Sequence, residues 1–174
     1  SRGFAVEIED VRRGVLAMGG LVEAQLGVAM DALRGGTAPS VDEILARERQ
    51  INAAEIAIDE QCASILARHH PTASDLRLVL SVMKMLNDLE RIGDEAKRVA
   101  RKVERIAGSE DGTDAALGDL AALVRQMLHD ALDAFARQDE QLALDTMRGD
   151  ARIDAAWRQF EAGAIGRMRG DADR

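Results

Sequence analysis

The stretch Asn87-Asp88-Leu89-Glu90-Arg91-Ile92-Gly93-Asp94-Glu95-Ala96-Lys97 places acidic side chains on a helix face that is otherwise rich in core residues. At about 100° per residue, Glu90 and Asp94 lie one turn apart, and their stripe runs back through Met83 to Leu76. A carboxylate beside a packed surface must stay hydrated, find a partner or hold a cation. The stretch therefore predicts a long helix whose apolar stripe continues as a carboxylate stripe.

The composition favours helices in the rest of the chain as well. Of 174 residues, 47% are hydrophobic but only 2% are aromatic, and there are two prolines. Ala, Leu, Arg and Glu, which are abundant, prefer helices, whereas sheets are built from β-branched and aromatic residues. Apolar periodicity predicts an all-α fold with five helices, at residues 4–34, 40–68, 72–107, 114–137 and 140–168.

Charge and cysteine usage restrict the compartment and the partners. The formal net charge of -8 argues against a nucleic-acid-binding surface and suits a protein that attracts cations. The single cysteine, Cys62, excludes an internal disulfide framework and suits a reducing compartment. No run of consecutive apolar residues approaches the roughly 20 that span a bilayer, and no secretory signal begins the sequence. We therefore expect a cytoplasmic protein.

An internal repeat predicts the domain organisation. A shift of 102 positions aligns Leu21, Val22, Leu26 and Ala29 with Leu123, Val124, Leu128 and Ala131, and it also aligns Ile51 with Ile153. One shift serves two consecutive helices, which indicates duplication of a three-helix unit. The third helix of the second copy would begin near residue 173. We expect tandem three-helix bundles at 1–108 and 109–174, the second truncated to two of its three helices.

The second predicted helix offers a matching acidic pair. Ile44, Ile51, Ile58 and Ile65 follow heptad spacing and predict its core seam. Beside that seam, Glu55 and Asp59 repeat the Glu-x-x-x-Asp spacing of Glu90 and Asp94. If the two helices are neighbours, at roughly 8–10 Å between axes, the four carboxylates converge and repel one another unless cations neutralise them.

The oxygen donors of Glu90, Asp94, Glu55 and Asp59 predict a site for a hard or borderline cation such as Mg²⁺, Mn²⁺, Ca²⁺ or Fe³⁺. The alternative is a solvated acidic face that forms salt bridges with Arg91 or Arg98. Further along the helix, one broad basic face contains Lys97, Arg98, Arg101, Lys102 and Arg105. These residues either complement the helix dipole or form a docking surface for an acidic partner, to which we assign Arg91, Arg98, Arg101 and Lys102.

The string Asp88–Asp94 closely resembles the signature of the PhoU family, bacterial regulators that couple phosphate uptake to phosphate-dependent gene control. Further blocks resemble the family in the same order and cover nearly the whole chain: Met18–Glu23, Ala57–Glu60, Pro71–Arg77, Gln126–Asp130 and Leu132–Arg137. The resemblance implies two three-helix bundles, with a second acidic motif on a helix that this sequence lacks. It also implies metal at Glu90 and Asp94, then at Glu55 and Asp59, and adds iron or zinc clusters to the candidate ions.

The resemblance further implies two partners, a membrane-associated phosphate-sensor histidine kinase and the ATP-binding subunit of the phosphate ABC transporter. We expect a non-enzymatic adaptor and negative regulator that reaches the membrane only through these partners, with a homodimer left open. Two alternatives are a metal-dependent phosphohydrolase that uses the same carboxylates and a purely structural helical interaction module. The sequence has no Glu-x-x-His pair and no Gly-rich phosphate loop to favour an enzyme.

Overall fold

The computed structural model describes residues 2–37, 39–69, 71–106 and 115–172. Within these ranges all regular secondary structure is helical and there is no strand, which confirms the all-α prediction. The helices are α1 Arg2–Leu33, α2 Val41–Arg68, α3 Ala73–Ile106, α4 Ala115–Arg137, α5 Glu140–Arg148 and α6 Asp150–Ala172. The predicted boundary between the two repeats, at 108/109, lies outside the described residues.

The fifth predicted helix is in fact two helices, so that prediction was wrong. The chain turns at Gly149, whose backbone N–H donates to the carbonyl oxygens of Asp145 and Thr146. Glycine weakens a helix because it has the most backbone freedom to lose on folding. Apolar periodicity did not reveal the break, since the pattern resumes one residue later.

Helix α1 is the centre of the molecule. It contacts α2, α3 and α4, and α4 in turn contacts α5 and α6. The side chains of Val15, Met18 and Val22 on α1 are completely buried. At Gly19, an added Cβ would lie 2.6 Å from Leu132 Cδ2, so the absence of a side chain lets α4 approach closely.

By length and composition alone, α1 is also apolar enough to cross a membrane. Its window has a mean hydropathy of 1.3, and half of that window is buried inside the protein. The sequence prediction considered only consecutive apolar residues, whereas α1 reaches this hydropathy through Val, Leu, Met and Ala residues that Gly and a few polar residues interrupt. Burial against three other helices is the behaviour of a core helix in a folded domain.

Helices α2 and α3 complete a three-helix bundle with α1. The heptad residues Ile44, Ile51, Ile58 and Ile65 are each at most 3% exposed, which confirms the predicted seam. Where the three helices meet, a Cβ on Gly93 would lie 3.3 Å from Ile51 and 3.7 Å from Val22. Because Gly93 sits between Glu90 and Asp94 on α3, this close approach brings the predicted acidic pair to the edge of α2.

The start of α2 is fixed by a capping box. The Ser40 hydroxyl accepts a hydrogen bond from the backbone N–H of Glu43, and the Glu43 carboxylate accepts one from the backbone N–H of Ser40. The Ser40 hydroxyl also donates to the Glu43 carboxylate, and the two hydrogen bonds that this carboxylate accepts from Ser40 lower the pKa of Glu43. Reciprocal capping satisfies two backbone donors that the first helical turn leaves free, and it sets where α2 begins.

An apolar groove runs between α3 and α4, in two parts of about 560 and 650 Å³. Leu117, Leu120 and Val124 of α4 line its first part. The repeat shift of 102 makes these three residues the counterparts of Val15, Met18 and Val22, which form the buried face of α1. The face of α4 that corresponds to the core face of α1 is therefore partly open in the described part of the chain.

The aromatic residues of α4 and α6 differ in how they pack. Trp157 is 45% exposed and packs on Phe160, with 5.6 Å between ring centroids. Phe135, in contrast, packs against the core, and the Arg12 guanidinium lies 5.4 Å above its ring. Arg12 also donates to the backbone carbonyls of Phe135 and Ala136, so it joins α1 to the end of α4.

Candidate functional site

Four carboxylates line the contact between α2 and α3. We call Glu48 and Glu55 of α2 with Glu90 and Asp94 of α3 the acidic seam; each is partly buried. Glu48 lies opposite Lys97, and the charge of Glu55 acts on Glu90, as expected for two helices that run antiparallel. Partial burial reduces screening by solvent, so these charges interact more strongly than charges on an open helix face.

Lys97 bridges the two sides of the acidic seam. Its ammonium donates to Asp94 Oδ1 at 2.8 Å and also to Glu48 Oε1. The Lys97 side chain is only 18% exposed. Desolvation works to lower its pKa, but the hydrogen bonds to Asp94 and Glu48 outweigh that effect, and the pKa is raised. Lys97 is therefore a charged cross-link between α2 and α3.

Glu90 and Asp94 are pushed towards opposite protonation states. Desolvation, followed by the charges of Asp94 and Glu55, raises the pKa of Glu90. The hydrogen bond from Lys97 lowers the pKa of Asp94 despite its own desolvation. Asp94 is thus held as an anion, whereas Glu90 keeps its proton to higher pH than an ordinary glutamate.

The predicted metal residues are only partly brought together. Glu55 lies close enough to Glu90 to shift its pKa. Asp59 is exposed. Its charge acts on the buried thiol of Cys62, where it adds to desolvation, the larger cause of the raised pKa of that thiol. Among the described residues, no group of three or more His, Cys, Asp or Glu side chains is arranged to hold a metal ion.

The oxygen donors of the acidic seam suit a hard cation, but their arrangement does not fit a resident metal while Lys97 is in place. The Lys97 ammonium already lies between Glu48 and Asp94, where a bound cation would lie, and it neutralises part of their negative charge. Metal binding by Glu90, Asp94, Glu55 and Asp59 stays a prediction.

The salt-bridge partner of the acidic residues differs from the two that the sequence suggested. Arg98 pairs with Glu95 at 2.7 Å, and it is Lys97 that pairs with Asp94. The signal for Lys97 was present in the sequence, because it lies three residues after Asp94 and seven after Glu90. Both spacings put side chains on one helix face.

A partly buried hydrogen bond between side chains joins α1 and α2. Gln25 of α1 is 1% exposed, and its Oε1 accepts a hydrogen bond of 2.9 Å from Arg47 of α2. Within the described residues, the Gln25 Nε2 has no hydrogen-bond partner. Arg47 immediately precedes Glu48 in α2, so this hydrogen bond joins α1 to the helix that carries Glu48 and Glu55.

The predicted docking residues of α3 lie on two different faces. Arg91, Arg98 and Lys102 are exposed and follow helical spacing on the side opposite the buried Leu86, Ala96 and Ala100. We call Arg91, Arg98 and Lys102 the outer stripe. Arg101 is also exposed, but at about 100° per residue it lies off this stripe, on the side of Asp94. The outer stripe thus contains three of the four predicted docking residues.

Comparison with known proteins supplies the identity of the fold. The PhoU domain family matches residues 15–103 and 117–173. A phosphate-specific transport system accessory protein PhoU homolog from Pseudomonas aeruginosa is 44% identical over 156 residues, which cover 88% of this chain and 64% of that protein. The Escherichia coli K12 accessory protein PhoU is 40% identical over 152 residues, covering 87% of this chain and 63% of that protein. This chain therefore spans less than two thirds of either relative.

Solved structures agree with these relatives. The crystal structure of PhoU from Pseudomonas aeruginosa matches 98% of this chain and 82% of that chain, with a TM-score of 0.91 and 40% identity. The phosphate transport system regulatory protein PhoU from Streptococcus pneumoniae matches 96% of this chain and 79% of that chain, with a TM-score of 0.86 and 29% identity. At these identities the same helical architecture is shared along nearly the whole chain.

Proposed function

The chain belongs to the PhoU family, and we propose that it is a non-enzymatic regulator of phosphate uptake and phosphate-responsive signalling. In this role it is a cytoplasmic adaptor between the ATP-binding subunit of a phosphate ABC transporter and a phosphate-sensor histidine kinase. The observation that carries the proposal is the match to relatives named as accessory proteins of the phosphate-specific transport system.

The outer stripe supports a docking role. Arg91, Arg98 and Lys102 project from α3 on the side opposite its core contacts, so a rigid bundle presents them. Basic side chains at the rim of an interface speed association with an acidic partner and make it depend on salt. Because the opposite face of α3 is packed on α1 and α2, docking on the outer stripe requires no rearrangement of the core.

The proposal is tested by binding of the purified chain to the ATP-binding subunit and to the cytoplasmic part of the sensor kinase from the same organism. Biolayer interferometry should show saturable binding to each, and binding should weaken between about 50 and 200 mM salt because exposed charges are screened. Absence of saturable binding to both proteins would contradict the adaptor role and favour a purely structural module.

The enzymatic alternative has a separate test. We expect no hydrolysis of p-nitrophenyl phosphate in the presence of Mg²⁺ or Mn²⁺ above that of a variant in which Glu55, Asp59, Glu90 and Asp94 are all Ala. Turnover by the parent that disappears in this variant would instead identify a metal-dependent phosphohydrolase.

A further inference from the structure

We propose that Lys97 is the built-in counter-ion of the acidic seam and that its ammonium competes with free divalent cations for Glu48 and Asp94. Without Lys97, these carboxylates become a binding site for a hard cation. The proposal is independent of the adaptor role, because it concerns the contact between α2 and α3 and requires no partner protein.

The contacts of Lys97 are those that a small cation would make. An ammonium is a compact point charge that carries three donors. Lys97 directs two of its donors to carboxylates on different helices, Asp94 on its own helix and Glu48 on α2. The side chains of Glu48 and Asp94 are 24% and 35% exposed, so the pair is half-buried but still open to ions from solvent.

Lys97 has the advantage of being tethered. Its attachment to α3, one turn from Asp94, gives it a high effective concentration at the two carboxylates. A divalent ion that enters the seam must displace this ammonium or bear its repulsion at a distance of a few Å. The two remaining carboxylates, Glu55 and Glu90, add negative charge that favours any ion able to enter.

Removal of the Lys97 charge should therefore create affinity for Mn²⁺. We expect Lys97→Met to bind Mn²⁺ at least about tenfold more tightly than the parent, because a positive charge beside the ion has been removed. Lys97→Arg, which keeps the charge, should resemble the parent. Lys84→Met is the matched control, since it removes an exposed lysine elsewhere on α3 and lowers the net charge equally.

Affinities are measured with Mn²⁺ alone, by electron paramagnetic resonance of the free ion and by calorimetry, on samples whose circular dichroism shows an intact helical fold. Lys97→Gln serves as a second variant, because it retains hydrogen-bond donors for Glu48 and Asp94. Adding Asp94→Asn to Lys97→Met should abolish the gain. Equal Mn²⁺ affinity of the parent and of both uncharged Lys97 variants would overturn the proposal, as would an equal gain in Lys84→Met.

Discussion

Glu90 and Asp94 are one helical turn apart on α3, and yet their surroundings shift their pKa values in opposite directions. Glu90 faces other carboxylates, whereas Asp94 receives the Lys97 ammonium. The Glu-x-x-x-Asp spacing predicted that the two residues share a face, and it did not distinguish their roles. The raised pKa of Glu90 depends on burial and on the charge of Glu55, which reaches the site from α2, so only the packed structure supplies that part of the distinction.

These opposite shifts predict opposite pH effects on stability. Because its pKa is raised, Glu90 binds its proton more tightly in the folded state than in the unfolded state. The ordinary pKa of glutamate is 4.5, so this group destabilises the fold as the pH rises above 4.5. Glu90→Gln should therefore raise the Tm at pH 7, and the difference should vanish near pH 4. Thermal unfolding followed by circular dichroism measures this effect.

Asp94→Asn should do the reverse. The ordinary pKa of aspartate is 3.8, and the pKa of Asp94 is lower in the folded state. The Asp94 anion therefore stabilises the fold fully above pH 3.8, and this contribution is lost as the pH falls through the pKa of the folded state. Losing one charge-assisted hydrogen bond of about 1 kcal/mol should lower the Tm at pH 7 by about 2–4 °C. A Tm change of the same sign in Glu90→Gln and Asp94→Asn at pH 7 would refute this assignment of roles.

The helices themselves were largely predictable because burial imposes a period of 3.6 residues. The heptad isoleucines of α2 lie where the sequence placed them, and α2 begins at Val41, one residue after the predicted start. The break at Gly149 was not predictable, since one glycine does not disturb the apolar pattern. Nor was the packing of Arg12 on the Phe135 ring, because it joins residues that lie far apart in the chain.

The packing of α1 against α4 depends on which of two adjacent glycines faces the contact. An added Cβ at Gly19 would lie 2.6 Å from Leu132 Cδ2, whereas one at Gly20 would meet nothing within 4 Å. Gly19→Ala should therefore destabilise the fold by about 1–3 kcal/mol through overpacking. Gly20→Ala should stabilise it by about 0.5–1 kcal/mol, because alanine loses less backbone freedom in a helix.

Urea unfolding at equilibrium measures both glycine variants against the parent. The pair is internally controlled, since both changes add one methyl group to the same turn of α1. Equal free energies of unfolding for Gly19→Ala and Gly20→Ala would mean that α4 does not approach α1 as described.

The packing of the bundle decides which charged residues are accessible to other proteins. The sequence resemblance to PhoU was confirmed by the family match and by the solved structures. That resemblance could not say which side of α3 is free, because the answer depends on how α3 packs on α1 and α2. The two charged features of α3 lie on different faces. In the acidic seam, Lys97 forms salt bridges with Glu48 and Asp94, whereas the residues of the outer stripe are exposed.

Docking through the outer stripe predicts a strong and local effect of charge reversal. A variant with Arg91→Glu, Arg98→Glu and Lys102→Glu replaces three exposed cations by anions facing an acidic partner. Like-charge contacts across an interface cost several kcal/mol, so binding should weaken by at least about tenfold. The matched control is Arg49→Glu, Arg152→Glu and Arg158→Glu, which reverses three exposed arginines on α2 and α6.

The most direct test of regulation through docking is one titration of the transporter's ATP-binding subunit, repeated on the parent, the outer-stripe variant and the control variant. We predict that the parent and the control bind with dissociation constants within about twofold of each other, and that the outer-stripe variant binds at least about tenfold more weakly. Equally weaker binding of both variants would mean that the net charge of the protein, and not the outer stripe, causes the effect. Unchanged binding of the outer-stripe variant would contradict docking through this face of α3.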